Sequence, residues 1–309
     1  MPSGNKTSKQ FRISLPATSA NLGPAFDAAA LAMDFYIKID ARPDDEFSIR
    51  AEGRDSEICS KAEDHLILNT YREVLRSAGK PVKPLSLDID NEIPIGKGCG
   101  SSAAARLAGI ALAVHFGKLR WSDEQIIGEA SRREHHPDNA SACWMGGLTV
   151  ARMRENSTEA QVIRILPRGK WPLLLAVPGQ SLSTEAARRV LPAQYSRADA
   201  VTNIQNSMLL LAAFAQGRPD LLSAALEDRI HEPYRAALCP LLPSLQQLKG
   251  KERILGVALS GAGPSALMFL DPRASVAKVR RIVGDHLSRS GLLAELISTS
   301  ITPKGAARK

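Results

Sequence analysis

The amino-acid sequence predicts an α+β protein built from two domains. Its strand-like segments, in which apolar and polar residues alternate, come in runs instead of alternating one by one with helices. The chain has 309 residues, enough for two ordinary domains. The pattern restarts after "PRGK", Pro167 to Lys170, with an apolar segment. We therefore expect a loose tail over residues 1–10, a first domain over 11–168 and a second domain over 169–309.

The first domain mixes strands with three helices. Four segments alternate like half-buried strands, namely "FRISL", "DFYIKIDA", "EFSIRAE" and "LSLDID". A helix is predicted over "HLILNTYREVLRSAG", because Gly79 and Pro81 provide a stop signal. A second helix is expected from Ser101 to about Gly117, and a third has Ser122 as its N-cap. "GGLTVARM" and "AQVIRIL" are predicted strands.

The second domain opens with the buried strand "WPLLLAV". Helices are predicted over about 184–190, 196–216, 219–229, 241–249 and 274–289. The segments "RILGVALS" and "SALMFL" are strands, and a last strand is predicted near 292–299.

The composition is that of a soluble globular protein and disfavours nucleic acid as a partner. Hydrophobic residues make up 44% of the chain and charged residues 23%. The net charge of +8 suits either nucleic acid or anionic small molecules. The basic residues are dispersed, however, and aromatic residues are only 5% of the chain. Nucleic-acid binding usually shows a basic stripe or interleaved aromatic side chains, so it is not expected.

The sequence also argues against a membrane or secreted protein. The apolar run from Ala103 to Val114 contains Arg106 and is too short to span a bilayer. Residues 1–10 lack the apolar core of a secretory signal. The four cysteines form no CxxC pair, so neither a disulfide framework nor a zinc cluster is expected. Together these features favour the cytoplasm.

The stretch "PIGKGCGSSAAARLAG", Pro94 to Gly109, is the first that points to a binding site. Three glycines at every second residue suit neither strand nor helix, because glycine loses the most backbone freedom on ordering. The helix predicted after them would offer unpaired N–H groups and a positive dipole end to a phosphate. The spacing matches neither a Walker A loop nor a Rossmann fingerprint. Taken alone, a tight turn before a closely packed helix is an equally good interpretation.

Two further stretches carry a family resemblance. "PATSANLGPAFD", Pro16 to Asp27, follows a strand, and "LSGAGPSALMF", Leu259 to Phe269, is a second glycine-rich turn. With the first stretch they resemble, in order and spacing, the three signature motifs of the GHMP kinases. The resemblance covers most of residues 11–300. It implies a two-domain GHMP kinase fold, with a ribosomal protein S5 domain 2-like N-terminal domain, a ferredoxin-like C-terminal domain and ATP between them.

Within that superfamily, the sequence is most similar to the homoserine kinase family. Three segments carry this similarity, namely "EHHPDNASACWMGG", "VPGQSLSTEAARRVLP" and "DRIHEPYR". The resemblance implies an ATP-dependent phosphorylation of the side-chain hydroxyl of L-homoserine, in threonine biosynthesis, and it suggests a homodimer. Another small alcohol, such as L-threonine or a mevalonate-type acceptor, is the nearest alternative. A non-catalytic nucleotide- or RNA-binding module on the same fold is a second alternative.

The resemblance also implies the nucleotide and metal ligands. The loop residues expected to bind the phosphates of ATP are Pro94, Gly96, Lys97, Gly98, Cys99, Gly100, Ser101 and Ser102. Ser102 and Glu129 would hold Mg²⁺, and one hydroxyl plus one carboxylate suits a metal that keeps water and phosphate oxygens. The plain alternative for Glu129 is a solvated helix carboxylate.

For the acceptor, charge indicates which residue types are needed. The ammonium of homoserine needs a carboxylate, for which Asp27 is the candidate, and its carboxylate suits the guanidinium of Arg188 or Arg235. The rest of the expected acceptor pocket comprises Asn21, His136, Asp138, Asn139, Thr184, Gly261 and Gly263. Taken singly, His136 would more often be structural, and Arg235 could simply pair with Glu232.

The expected catalytic residues are Asn139, Glu129 and Ser102. Other GHMP kinases have a catalytic aspartate near the position of Asn139, and an amide cannot accept a proton. We therefore expect direct in-line transfer. The sequence departs from the family motifs at Ala25, where a glycine is usual, and at Cys99, where leucine is usual. A positive φ at Ala25 would strain the backbone.

Overall fold

A computed structural model describes residues 10–308, which form two β-sheets with helices packed against them. The predicted tail lies outside the described residues except for Gln10, whose side chain donates a hydrogen bond to Asp40. Among the described residues, none of the helices combines the length and the apolar character needed to cross a bilayer. The predicted α+β class is confirmed.

The first sheet contains seven strands. Numbered along the chain, they are β1 (Phe11–Asn21), β2 (Ala25–Pro43), β3 (Ser48–Gly53), β4 (Leu85–Asn91), β5 (Leu148–Met153), β6 (Ala160–Ile165) and β11 (Ala307–Arg308). The strand order is β11-β1-β2-β4-β3, and β5 with β6 branches from the first part of β2. Only β3 and β4 are parallel.

Strand β2 organises this sheet because its 19 residues pair with β1 on one edge and with two successive strands on the other edge. Its first part pairs with β5 through Ala29 to Leu31, and its second part pairs with β4 from Ile37 onward. The pairing of β1 with β2 shifts register between Ala20 and Asn21. This irregularity ends β1 and starts the turn that carries the first sequence motif.

Helices cover one side of the sheet. They are α1 (Ser56–Cys59), α2 (Leu66–Ser77), α3 (Ser101–Phe116), α4 (Asp123–Glu134) and α5 (Asp138–Met145). Helix α3 is apolar on nearly every face, as expected of a helix inside a core. Helix α4 begins with the predicted cap, since Ser122 and Gln125 form a reciprocal capping box.

The second sheet has four antiparallel strands in the order β10-β7-β9-β8. They are β7 (Pro172–Pro178), β8 (Ile254–Leu259), β9 (Ala266–Leu270) and β10 (Ala294–Ser300). Its helices are α6 (Thr184–Arg189), α7 (Arg197–Gln216), α8 (Leu222–Ala225), α9 (Glu232–Arg235), α10 (Leu241–Gln246) and α11 (Val276–Arg289).

Both faces of this sheet are covered. Leu173 and Leu175 point into the large core shared with the first sheet, whereas Leu174 points into a separate core under α10 and α11. A strand that is buried on both faces has apolar residues at successive positions, which explains why the segment "WPLLLAV" is apolar throughout.

The element predictions fail in short helices, at the C-terminus and in the lengths of the first two strands, because β1 continues beyond "FRISL" to Asn21 and β2 begins at Ala25, ahead of "DFYIKIDA". The helix predicted over 219–229 is a 3₁₀ turn (Pro219–Leu221) followed by the single-turn α8. Helices α1, α5 and α9 were not predicted. Strand β11 pairs with β1, so the end of the predicted second domain returns to the first sheet. The boundary at residue 168 remains a prediction, although the sheets do change between β6 and β7.

The packing of α3 on α2 yields a stability prediction. A Cβ at Gly109 of α3 would lie 2.5 Å from the carbonyl oxygen of Ile67, whereas one at Gly284 of α11 meets nothing closer than 3.9 Å. We expect Gly109→Ala to lower the free energy of unfolding by about 1–3 kcal/mol through overpacking. The matched Gly284→Ala should raise it by roughly 0.5–1 kcal/mol through helix propensity. Urea unfolding followed by circular dichroism measures both, and equal shifts would contradict this packing argument.

Candidate active site

Three turns that are distant in sequence meet around one cavity of about 530 Å³. They are the turn after β1, the glycine-rich loop before α3 and the turn between β8 and β9. Most of the predicted site residues lie on its wall: Asn21, Asp27, Gly96, Gly98, Gly100, Ser101, Ser102, His136, Asp138, Asn139, Thr184, Arg188, Arg235, Gly261 and Gly263. Residues of both predicted domains therefore form one site.

The glycine-rich loop presents the N-terminus of α3 to this cavity. Gly100, the residue before α3, has a φ of 72°, and a Cβ there would lie 1.9 Å from Oγ1 of Thr18. Glycine thus lets the loop pack directly on β1, where the amide of Thr18 donates to the carbonyl of Cys99 at 3.0 Å. Among the described residues, no side chain caps α3. Its first-turn N–H groups and positive dipole end suit an anion.

Three predicted loop residues do not lie on the cavity wall. Pro94 and Cys99 are buried and support the loop from behind. Burial raises the pKa of the Cys99 thiol to about 12, so the side chain acts as a small packing group. The ammonium of Lys97 donates to the carbonyl of Gly179, which ties the loop to the segment after β7.

The turn between β8 and β9 binds both other turns. The hydroxyl of Ser260 lies 2.7 Å from the carbonyl of Gly98 and 2.9 Å from the hydroxyl of Ser19. The side-chain amide of Asn21 donates to the carbonyl of Gly261 at 2.8 Å. These polar contacts are buried or partly buried and therefore hold the three turns together.

Asn21 also shapes the turn that carries Asp27. Its Oδ1 accepts the amide of Asp27 at 2.9 Å, and both residues have a positive φ, 69° and 54°. Ala25 begins β2 and is not among the described residues with positive φ, so the strain considered for it does not arise. The side-chain carboxylate of Asp27 accepts a hydrogen bond from the guanidinium of Arg188 at 2.7 Å.

Two guanidinium groups lie beside the ring of Phe26, on the same wall. The Cζ atom of Arg188 is 5.4 Å from the ring centroid and that of Arg235 is 5.3 Å. Such contacts of a cation with an aromatic face are stabilising. The Arg235 side chain is only 1% exposed, and its burial, together with the nearby charge of Arg188, lowers its pKa from the ordinary value. An anion bound here would therefore be strongly attracted.

The guanidinium of Arg235 is held by uncharged partners. Its Nε donates to the carbonyl of Ala187 at 3.0 Å, and its Nη1 lies 3.1 Å from Nδ1 of His231. Burial lowers the pKa of His231 to about 4, so the ring is neutral. Its Nε2 lies 2.8 Å from the carbonyl of Gly23, which makes Nε2 the donor and Nδ1 the acceptor. The pairing with Glu232 considered from the sequence is not formed.

His136 and Asp138 form a buried pair next to Asp27. Nδ1 of His136 is 2.5 Å from Oδ1 of Asp138. Burial alone would lower the pKa of His136, but the hydrogen bond and charge of Asp138 raise it above the ordinary value. Oδ2 of Asp138 is buried and has no hydrogen-bond partner among residues 10–308. Ligand atoms of Asp27, His136 and Asp138 lie within 4.8 Å of one another, an arrangement that attracts a cation.

The structure places one predicted metal ligand away from the cavity. The carboxylate of Glu129 is held by its own helix neighbours, Arg132 at 2.8 Å and Arg133 at 2.7 Å, and Glu129 does not line the cavity. Glu134 lies there instead, and its Oε2 accepts the hydroxyl hydrogen of Ser102 at 2.8 Å. The reason is the position along α4, because Glu134 is its last residue and its carboxylate reaches Ser102 and Arg106 of α3.

The other end of the cavity is mainly apolar and was missed by the sequence analysis. Its wall includes the aliphatic side chains of Ile58, Ile67, Ile89, Ile93 and Ile95, and its polar members are Cys59, Lys61, Glu63, Asp64, His65 and Asn91. Asp55 shapes this region, because its Oδ2 accepts the amide of Ile95 at 2.9 Å. No motif marks these residues in the sequence, since aliphatic side chains around "SEIC" look like ordinary core positions.

This arrangement defines an anion-binding loop beside a polar pocket rich in charged side chains, and the comparisons with known proteins agree with it. The sequence matches the profile described as "GHMP kinases N terminal domain" over residues 65–147 and the one described as "GHMP kinases C terminal" over residues 210–289. The chain therefore belongs to the GHMP kinase family.

Within that family, the similarity is to proteins named homoserine kinase. The homoserine kinase of Solibacter usitatus is 41% identical over 295 residues, which cover 96% of each chain. A solved structure of homoserine kinase from Cytophaga hutchinsonii has a TM-score of 0.83 at 21% identity and covers 100% of both chains. A putative homoserine kinase from Listeria monocytogenes has a TM-score of 0.76 at 26% identity, covering 97% of this chain and 99% of its own.

The buried Glu232 gives a prediction about stability and pH. Its Oε1 accepts the amide of Leu259 at 2.6 Å, at the start of the turn between β8 and β9. Burial, with the nearby charge of Asp228, raises the pKa of Glu232 to about 8 from an ordinary 4.5. The folded protein thus binds this proton more tightly than the unfolded chain does. The resulting stability is present below about pH 4.5 and is lost as the pH rises through about 8.

We expect Glu232→Gln to remove this pH dependence, because the amide keeps an acceptor for Leu259 and cannot ionise. The melting temperature of the variant minus that of the wild type should therefore increase as the pH rises from about 5 to about 9. Thermal unfolding of both proteins across this range measures the difference. A difference that stays constant with pH would mean that Glu232 does not titrate in the folded state.

Proposed function

We propose that the protein transfers the γ-phosphoryl group of ATP to the side-chain hydroxyl of L-homoserine, giving O-phospho-L-homoserine and ADP. This reaction would place it in threonine biosynthesis. The observation that carries the proposal is that one cavity holds a helix N-terminus suited to phosphate and, beside it, one carboxylate with two guanidinium groups. The names of the relatives support the same reaction. A cytoplasmic location and a homodimer belong to the proposal as well.

The acceptor pocket matches a zwitterion. Asp27 and Arg188 now pair with each other at 2.7 Å, and both side chains are about one-third exposed to the cavity. An amino acid bound here places its ammonium at Asp27 and its carboxylate at Arg188 and Arg235. Each charge of the protein pair then keeps an opposite partner, so the pair separates without leaving an unpaired charge. The paired His136 and Asp138 lie on the ammonium side.

ATP fits the remaining space. Its phosphates lie at the N-terminus of α3, where N–H groups and the helix dipole face the cavity. Its base lies among the aliphatic side chains at the other end, as most nucleotide and cofactor sites are largely apolar. The acceptor hydroxyl and the γ-phosphate then meet next to Asn139.

The transfer needs positioning more than covalent chemistry. The acceptor oxygen forms a bond to the γ-phosphorus while the bond from that phosphorus to the β,γ-bridging oxygen breaks, and ADP keeps the electron pair. The hydroxyl proton passes to the transferred phosphoryl group. Asn139 is an amide and does not take this proton. Its function is to orient the reacting groups.

The site also suits Mg²⁺. The hydroxyl of Ser102 and the carboxylate of Glu134 are 2.8 Å apart at the phosphate loop, and oxygen ligands of this kind are those that Mg²⁺ prefers. Arg106 holds the second carboxylate oxygen of Glu134 at 2.5 Å and orients the group. Ser102 and Glu134 would thus hold the ion, which supplies charge neutralisation for the phosphates.

Coupled measurement of ADP release tests the function directly. With Mg²⁺ and ATP, we expect turnover on L-homoserine and little on L-threonine, mevalonate, galactose or buffer alone. Arg188→Ala should raise the KM for homoserine by roughly 30-fold or more, because losing a charged partner costs about 2 kcal/mol or more. Preferred turnover of another acceptor would refute the homoserine assignment while keeping the kinase. ATP binding without turnover of any acceptor would favour a nucleotide-binding module.

The metal assignment predicts a ranking of two substitutions on the same helix. Glu134→Gln should raise the Mg²⁺ concentration needed for half-maximal activity by roughly 10-fold or more, as changes around a metal commonly do. Glu129→Gln should change it by less than about 2-fold, because that carboxylate faces Arg132 and Arg133. Titration with Mn²⁺ in the presence of ADP, followed by electron paramagnetic resonance, provides a readout independent of turnover. The opposite ranking would return the ligand role to Glu129.

A further inference from the structure

We infer that Thr18 is a positioning residue for phosphoryl transfer, because its hydroxyl holds the side-chain amide of Asn139 in a single orientation. The inference rests on the proposed function, in which Asn139 lies where the acceptor hydroxyl meets the γ-phosphate. Thr18 belongs to β1, is fully buried and does not line the cavity, so it acts through Asn139.

The hydrogen bond between the two side chains has a defined direction. Oγ1 of Thr18 lies 2.7 Å from Oδ1 of Asn139. A threonine hydroxyl has one proton to donate, whereas the two ends of an asparagine amide are an acceptor oxygen and a donor nitrogen. Oδ1 accepts that proton, and the buried hydroxyl has no other hydrogen-bond partner among residues 10–308, so a flipped amide would leave the proton without an acceptor.

The nitrogen end is left for the reaction. Asn139 lies on the cavity wall, and its Nδ2 has no hydrogen-bond partner among residues 10–308. Two N–H groups at this point can bind a lone pair of the acceptor oxygen or an oxygen of the γ-phosphate. A flipped amide would present its oxygen to the phosphate instead, and the two electron-rich oxygens would repel each other.

The phosphate loop fixes the position of Thr18 itself. The Thr18 amide donates to the carbonyl of Cys99 at 3.0 Å, and Gly100 leaves no room for a side chain between the loop and Oγ1 of Thr18. The backbone of Asn139 is held as well, since its amide donates to Oδ1 of Asp138 at 2.6 Å. Thr18 thus fixes the orientation of the Asn139 side-chain amide relative to the glycine-rich loop.

Two substitutions test the contribution of the Thr18 hydroxyl apart from that of the rest of the side chain. Thr18→Val keeps the shape and the backbone bond to Cys99 but lacks the donor, and we expect kcat to fall by roughly 10- to 100-fold. The KM for the acceptor and the affinity for ATP should stay within about 2-fold. Thr18→Ser restores the donor and should recover kcat to within about 3-fold of the wild type.

A double-mutant cycle tests whether Thr18 acts through Asn139. In an Asn139→Ala background, Thr18→Val should have almost no further effect on kcat, because the group it orients is gone. Thr149→Val is the matched control. Thr149 is also fully buried on a strand of the same sheet, and its hydroxyl has no partner among the described residues. Its removal should leave kcat unchanged.

The possible results separate this inference from the proposed function. Failure of the wild type to use homoserine counts against the function, and the cycle is then run on the acceptor that is turned over, since the argument concerns the transferred hydroxyl. An unchanged kcat in Thr18→Val, independent effects of the two substitutions, or a loss confined to ATP affinity would each overturn the positioning role. Absence of turnover on every acceptor would overturn both.

Discussion

The close contact of the glycine-rich loop with the two other turns is the constraint on which the site depends. A Cβ at Gly98 would lie 2.2 Å from the carbonyl oxygen of Ser260, so the loop backbones touch without side chains between them. The backbone amide of Thr18 and the hydroxyl of Ser260 then supply hydrogen-bond partners for the loop carbonyls of Cys99 and Gly98. The glycine-rich loop, the carboxylate of Asp27 and the side-chain amide of Asn139 consequently share one frame, which is what positioning catalysis of the proposed transfer would need.

The segment from Asp228 to Arg235 contributes several buried ionisable side chains to this frame. Asp228 accepts three backbone amides, Glu232 accepts the amide of Leu259, and Arg235 is bound by a carbonyl and the neutral His231. Buried charges destabilise a fold unless hydrogen bonds compensate them. His231 of this segment binds the carbonyl of Gly23 in the turn after β1, and Glu232 binds the amide of Leu259 at the turn between β8 and β9. The segment therefore joins the turns and also keeps a guanidinium in a poorly solvated place, where it attracts a carboxylate strongly.

Sequence patterns predict the parts of this protein that depend on local chemistry. Alternation identifies the strands, the Ser122 cap identifies α4, and unusual glycines identify two of the three turns. The patterns do not reveal whether Glu129 or Glu134 of α4 reaches α3, because that depends on how the two helices pack against each other. Glu129 and Glu134 look equivalent in the sequence, yet only Glu134 contacts Ser102. Helix α5 was missed because it is short and follows Pro137, and the aliphatic end of the cavity resembles ordinary core.

The ion pair between Asp27 and Arg188 bears on which acceptors the site can select. The two side chains bind each other at 2.7 Å, so any acceptor must compete with this contact. An acceptor with a carboxylate and no ammonium can bind Arg188 only by leaving Asp27 without a cation. A neutral sugar replaces neither charge. A zwitterion replaces both at once, and because Arg235 and the backbone of Asp27 are held by hydrogen bonds that the zwitterion does not displace, little further ordering of these two residues is needed when it binds. Under the proposed function, selectivity thus depends on whether an acceptor can replace both partners of the ion pair between Asp27 and Arg188, as well as on the contacts that the acceptor gains.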